Sequence, residues 1–413
     1  MLMASPVTFA LVSIAAWLAL VLLATVRAGR FLATFIAVLL GIQVAVTAAL
    51  WHAAAPVQIP FACLQAAVFV HFARLVWLAG AGADATPRLP GLAYRALVGV
   101  PASFFVAGTF LAFPWALAAA VGLPPLAAIL PYILAALGTA DSLRRPPPRA
   151  VDVVLDEEHV PALARWRPRA GTSERPLHVV QITDPHLGTF MSVARLREVC
   201  ARAVAAQPDL VLLTGDYLTV ESHHGGGDTL ARALEPLRAL PGRVFACRGN
   251  HDLEAPVAVA RGLASAGARL LIDELVSVDT AAGPVEILGI DWGSRPADVA
   301  SRHPRGGALR LVLLHNPGAF RRLPDGAADL VLSGHTHGGQ LGLVTFGLPH
   351  TILSLFGVMP DHGLWALGTN RLYVHRGTGH YGFPVRIGVS SEESVLRVHP
   401  RGMTGLSWTN PQP

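Results

Sequence analysis

The chain has 413 residues, 52% of them apolar and only 14% charged, which excludes an ordinary soluble protein along its whole length. All 32 basic residues are arginine against 27 acidic residues; eight of them stand in residues 1–150 against Asp84 and Asp141, a net of +6, leaving 24 basic and 25 acidic residues, or −1, in the remainder. That remainder offers nucleic acid nothing to bind, and Cys63, Cys200 and Cys247 lack the paired spacing of a disulfide framework or a Cys-rich zinc motif.

Residues 7–26 carry no charge and are long enough to match the hydrocarbon thickness of a bilayer. Further apolar runs stand at 31–51, 61–79, 97–122 and, shorter and containing Pro131, 125–140, with Pro124-Pro125 as the turn between the last two. Arg27 and Arg30, then Arg88 and Arg95, then Arg144, Arg145 and Arg149 lie in alternate connections, and the intervening ones have no arginine. This alternation predicts an N-terminal α-helical transmembrane bundle over 1–141 with about five spans, the N-terminus outside and the C-terminal part in the cytoplasm, at the inner membrane. Four spans would put the C-terminal part outside. The first run lacks the basic n-region of a cleaved signal peptide. His71 and Arg74, inside the third run, read as a helix-end pair whose arginine snorkels to the interface rather than as a transport path.

Residues 142–150, with Arg144-Arg145-Pro146-Pro147-Pro148-Arg149, form a stiff basic linker suited to an anionic leaflet or to a stop signal. From Val151 the texture changes to short β runs alternating with Ala/Arg-rich helical stretches. Five apolar strands end in polar blocks: 177–182 in Thr183-Asp184-Pro185-His186, 209–213 in Thr214-Gly215-Asp216, and 243–247 just before Gly249-Asn250-His251-Asp252. The other two are 310–314, ending in His315-Asn316, and 329–332, ending in Ser333-Gly334-His335-Thr336-His337. Helices are expected over 193–206 and 229–240. The C-terminal ends of strands are where α/β sheets place ligands.

Carboxylates and imidazoles are the donors that borderline divalent metals accept, and Mn, Fe and Zn all suit this set. If each His-x-His or Asp-x-His is extended, its two residues point to one side, so Asp184 converges with His186 and His335 with His337. Asp216 after Gly215 is placed to bridge two ions. Such a pair lowers the pKa of a shared water to give hydroxide for in-line attack on phosphorus. His251 is the candidate proton donor to the leaving group, Asp252 its support, and Gly249 the residue that lets the backbone turn.

These blocks, in this order, resemble the calcineurin-like metallophosphoesterases over roughly 151–400, with 401–413 as a tail. Gly338-Gly339-Gln340, Arg376-Gly377-Thr378-Gly379 and Pro384-Val385-Arg386-Ile387-Gly388 are similar to its bacterial membrane-associated branch. The resemblance implies an α/β domain, a β-sandwich flanked by helices, with one divalent ion on Asp184, His186, Asp216 and His337. The second would sit on Asp216, Asn250, His315 and His335. Pro185 stands where the family usually has a larger apolar residue, which an extended segment tolerates.

The run from Leu341 to Met359 is unusually apolar beside a metal site and reads either as a cap with its own small core or as a lip facing lipid. With the basic linker, the lip reading points to a lipid-linked phosphodiester or diphosphate; related membrane enzymes of this branch cleave the diphosphate of a UDP-linked diacylated glucosamine. Arg376 and Arg386 are candidates to grip a substrate phosphate. His223-His224-Gly225 reads as a solvated loop near the cleft. The expectation is a membrane-anchored dinuclear phosphoesterase; the alternative is a membrane sensor or scaffold that binds a phosphorylated ligand without turning it over.

Overall fold

A computed structural model describes residues 5–80, 90–124, 127–146, 148–168, 173, 175–222, 226–357, 359–380 and 382–400. Arg88, His223-His224-Gly225 and the 401–413 tail lie outside the described residues. Among the described residues, four helices are long and apolar enough to cross a membrane: Pro6–Arg27, Arg30–Ala49, Ala55–Ala79 and Leu92–Leu111. They pack around Phe9, Leu40, Trp51, Phe61, Val68 and Phe105, with exposed leucines, valines and phenylalanines outside.

The expected fourth and fifth runs divide differently. The fourth ends at Leu111, and Phe113–Ala120 is a separate short helix. The fifth, Leu130–Leu143, has 14 residues, about 21 Å at the α-helical rise and less than a hydrocarbon slab. Its shortness has a packing reason. A Cβ on Gly138 would lie 2.7 Å from Val385 and 2.8 Å from Ile387, the Arg386 amide donates to the Gly138 carbonyl, and Ser142 Oγ meets His380 Nδ1 at 2.8 Å. The last turn of this helix is therefore packed into the C-terminal half, and only 144–148 remain between it and the first strand. Arg145 in that connection pairs with Glu198.

Arg74 has a partner within the protein. Its Nη1 lies 3.0 Å from Glu221 Oε1, and the same carboxylate accepts the Thr189 amide and hydroxyl. A guanidinium near a helix end thus meets its charge partner in the C-terminal half, which joins the two halves through the buried carboxylate of Glu221.

That half is a sandwich of two sheets. In chain order its strands are β1 (Arg149–Val154), β2 (Val160–Arg165), β3 (Leu177–Ile182), β4 (Leu210–Leu213), β5 (Val244–Ala246), β6 (Arg269–Leu270) and β7 (Glu274–Thr280). They continue with β8 (Gly283–Ile290), β9 (Leu309–Leu314), β10 (Leu330–Ser333), β11 (Gly363–Gly368), β12 (Asn370–Val374) and β13 (Ser394–His399). One sheet runs β1-β13-β3-β4-β5-β6 and the other β2-β11-β12-β10-β9-β8-β7.

Alternation along each strand sorts the core into layers. Val179, Leu210, Leu212 and Phe245 face Ile287, Leu311, Leu313 and Leu330 between the sheets. Val180, Ile182, Val211 and Leu213 point the other way, onto helices Val193–Ala205, Gly226–Leu234 and Pro256–Ser265. Val312, Leu314 and Val331 pack outward against Val299, Ala300 and Phe320. Strands β3, β4 and β5 are parallel, as are β8, β9 and β10, so their C-terminal ends carry the five polar blocks. The blocks come from both sheets and meet at the sandwich edge.

Candidate metal centre

Six of the seven residues expected as ligands come together in two groups. Donor atoms of Asp184, His186 and His337 lie within 4.8 Å of one another, as do those of Asp216, His315 and His335. Asp216 stands between the groups: its Oδ2 is 3.7 Å from His186 Nε2 and 3.2 Å from His315 Nε2. Asp184 Oδ1 is 3.3 Å from His337 Nε2, and the His337 and His186 Nε2 atoms face each other at 3.3 Å.

The local geometry that achieves this is not the extended one expected. Asp184, His186, Asp216, His335 and His337 have φ of 52°, 47°, 57°, 70° and 50°. Left-handed backbone at a non-glycine residue costs on the order of 1–3 kcal/mol and persists where surrounding contacts impose it. Here amides of one loop bond carbonyls of the next: Asp184 to Gly215, His186 to Asp216, Gly334 to His315. The ligands converge because the chain turns sharply after each strand, not because the strand continues through them.

Glycines at the strand ends make room for the carboxylates. A Cβ on Gly249 would lie 2.1 Å from Asp216 Oδ1, and one on Gly334 2.1 Å from Asp184 Oδ2. Gly249 does not have a positive φ, so its role is close approach to Asp216 rather than the expected turn. At Gly215 the φ of 99° does demand glycine.

The donors fit divalent cations. His315 Nδ1 donates to the Thr214 carbonyl at 2.6 Å, which leaves Nε2, facing Asp216, as the nitrogen that a cation would take in place of its proton. Asn250 Oδ1 is buried with no hydrogen-bond partner, as expected of an amide oxygen reserved for a cation. Burial holds His186 down at about 3 and His335 at about 4, so both rings are neutral ligands at neutral pH. Burial opposes charge on His315 too, yet the Asp216 carboxylate beside it pulls it up to about 10. Burial alone would raise Asp184 and Asp216, but the imidazoles around them hold both well below the usual carboxylate range. The pocket demands positive charge.

Asp252 adds a minor charge contribution to His251, but its hydrogen bonds go to the backbone. It is fully buried and accepts the amides of Asp216, Tyr217 and Gly249 at 2.7, 2.9 and 2.8 Å, fixing the backbone that presents Asp216. His251 is held instead by Glu254, whose Oε1 is 2.7 Å from Nδ1. Burial is the largest single influence and works against the imidazolium, but the Glu254 hydrogen bond together with the charges of Asp216, Glu254 and Asp252 outweighs it, and the His251 pKa is raised. Glu254, three residues along, was within reach of spacing rules and was missed. So was Trp292, just past β8, whose ring centroid lies 5.3 Å from that of His335 and 5.8 Å from that of His315.

The two candidate arginines find partners within the protein. Arg386 is 1% exposed and its two terminal nitrogens donate to the carbonyls of His337, Val389, Arg376 and Gly379, which turns it away from a substrate phosphate. Arg376 Nε binds Glu392 at 3.2 Å. Buried guanidiniums find carbonyl or carboxylate partners because leaving them unpaired is too costly.

A two-sheet sandwich whose strand ends gather two carboxylate–imidazole groups around a shared aspartate defines a metal-dependent hydrolase. Residues 177–339 match the calcineurin-like phosphoesterase family. The chain is similar to phosphodiesterase YaeI of Escherichia coli (strain K12), 31% identical over 237 residues that cover 54% of this chain and 82% of that one. It is 28% identical over 224 residues to the uncharacterized metallophosphoesterase YkuE of Bacillus subtilis (strain 168), covering 53% and 77% of the two chains. Similarity to a Danio rerio transmembrane protein with metallophosphoesterase domain is 29% over 295 residues, 65% of this chain and 60% of that protein. The chain belongs to the calcineurin-like phosphoesterase family.

Proposed function

We propose that the chain is a membrane-anchored phosphoesterase with two divalent ions, one on Asp184, His186, Asp216 and His337 and the other on Asp216, Asn250, His315 and His335. The observation that carries this reading is the position of Asp216 Oδ2, within 3.7 Å of a ring nitrogen of one group and 3.2 Å of the other. Ions bound there supply Lewis acidity toward phosphoryl oxygens and lower the pKa of a shared water. The chain's own part is preorganisation: left-handed turns fix the donors, and Asp252 fixes the loop of the bridging carboxylate. His251, anchored through Nδ1, protonates the leaving oxygen from Nε2.

The substrate class proposed is a phosphodiester or diphosphate on a lipid, a UDP-linked diacylated glucosamine being one concrete candidate. The transmembrane relative and the four long apolar helices support membrane anchorage. The short helix Leu130–Leu143 brings the chain back to the side where Gly99 meets Thr189, so the arginines at the helix ends nearest the catalytic half support a cytoplasmic placement at the inner membrane. The domain division agrees with this: a membrane part to about 141, a catalytic part over 151–400.

The test is hydrolysis of bis-p-nitrophenyl phosphate by the full chain in detergent, with added Mn, then with EDTA. Activity that EDTA removes and Asp216→Ala abolishes is the expected result. Equal inactivity of wild type and variant with every metal tried, together with retained binding of a phosphorylated ligand, would establish the sensor alternative instead. A lipid-extract screen for metal-dependent phosphate release then addresses the substrate.

A further inference from the structure

The segment 341–357 leaves the ligand block and returns to it as a hairpin without a single Asp, Glu, Lys or Arg. Its root is fixed at both ends. Leu341 pairs with Ile387, Gly342 with Thr351, and Thr351 Oγ1 reaches the carboxylate of Asp361. Beyond the root its large side chains are bare: Phe346 is 73%, Leu355 77% and Phe356 71% exposed. A soluble domain rarely presents such a cluster to water.

The neighbours of the root say where the hairpin is. Leu341, Phe383, Val385 and Ile387 pack against Phe104, Ala107, Leu111 and Ala135 of the apolar helices. The Phe383 ring lies 5.8 Å from that of Phe110. Thr189 of the catalytic half already abuts Gly99, the start of the same helical stretch. From Gly99 to Phe110 is about 16 Å of helix, half of a hydrocarbon slab about 30 Å thick. The 383–387 loop is therefore sunk between the helices, and the hairpin hydrogen-bonds to its end, the Gly342 amide to the Ile387 carbonyl and the Thr345 amide to that of Gly388.

Leaving water also requires that backbone groups be paired. The amides of Leu343, Phe346, Gly347, Leu348, Ile352 and Ser354 all bond carbonyls within the hairpin. The helix that meets the 385–387 stretch at Gly138 exposes Ile133, Leu134 and Leu137.

We propose that the 341–357 hairpin is inserted into the bilayer leaflet on the catalytic side, with Phe346, Leu355 and Phe356 in hydrocarbon, forming a lipid-embedded lip on the metal centre. The occupant of this surface is lipid, because the surface is continuous with that of the spanning helices. A lip in that position selects amphiphiles whose phosphate lies at the headgroup level. That selection rests on the phosphoesterase reading; the insertion itself does not.

The test uses the full chain in phospholipid vesicles with Cys63→Ser, the exposed cysteine removed and the buried Cys200 and Cys247 kept. Nitroxides are placed by Phe346→Cys and Leu355→Cys, with Leu18→Cys as a lipid reference and Val257→Cys as a water reference. Collision with oxygen and exclusion of a water-soluble nickel chelate, as at position 18, is the expected result. Behaviour like position 257 overturns the proposal. So does shielding from both agents with spin–spin broadening between copies, which would assign the surface to a second copy of the chain. Hydrolysis of a water-soluble diester by the same labelled proteins reports catalysis separately, so failure of insertion and failure of the phosphoesterase reading are distinguishable.

Discussion

Gly249→Ala places one methyl group where the bridging carboxylate now sits. The added Cβ would lie 2.1 Å from Asp216 Oδ1, 2.7 Å from its Cγ and 2.8 Å from its amide nitrogen, against an ordinary contact distance of 3.4 Å. The carboxylate oxygen must withdraw by about 1.3 Å. It has little freedom to do so, because Oδ1 also accepts the His251 amide at 2.9 Å and the loop behind it is pinned by Asp252. Displacement of a catalytic group by about 1 Å costs on the order of 100-fold in rate. Loss of a bridging ligand position adds to this through weaker metal binding. The expected outcome is a drop of at least about 100-fold in kcat/KM for bis-p-nitrophenyl phosphate, partly restored at high Mn, with the protein still folded. Gly91→Ala, where a Cβ meets nothing within 4 Å, is the control and is expected to be silent. If Gly249→Ala retains wild-type rate and the same Mn dependence, the carboxylate is not held against this glycine and the bridging geometry is wrong.

Asp252→Ala leaves the buried amides of Asp216, Tyr217 and Gly249 without an acceptor. At about 1–3 kcal/mol for each orphaned donor the loss is at least about 3 kcal/mol, read by denaturant unfolding in detergent; a loss below about 1 kcal/mol would contradict the assigned role. Glu254→Gln removes the partner that raises His251. A proton donor is competent below its pKa and fails as pH rises through it, so the alkaline limb of kcat/KM is expected to move to lower pH. An unmoved limb would show that His251 is not the donor.

The residues of the site were legible in the sequence because their physics is local. An apolar strand that ends in Asp, His or Asn is a poor way to finish packing, and five such ends name the seven donors without any knowledge of contacts. Spacing also predicted β3 and the helix over 193–205 closely, since each buries one periodic face. What spacing could not determine is how the ends approach one another. They belong to two sheets, and left-handed turns rather than extended strands aim the side chains, a conformation enforced by amide bonds between loops distant in sequence.

The same limit explains the reassigned residues. Asp252 is adjacent to His251 in the chain, but its carboxylate turns inward to three amides, while the exposed side of the short turn brings Glu254 to the imidazole. Arg376 and Arg386 carry charges that the sequence alone would send toward phosphate, and the folded chain surrounds them with its own acceptors. Arg74 looked like a helix-end cation seeking headgroups and finds Glu221 instead. By itself the sequence determined the ligand chemistry, the strands that present it and the apolar half that accompanies it, since each is written in residue type and period. Only the tertiary structure decided how the strand ends approach one another, which acid holds the histidine, and how deeply the catalytic half sits among the helices, because those depend on side chains meeting across long stretches of chain.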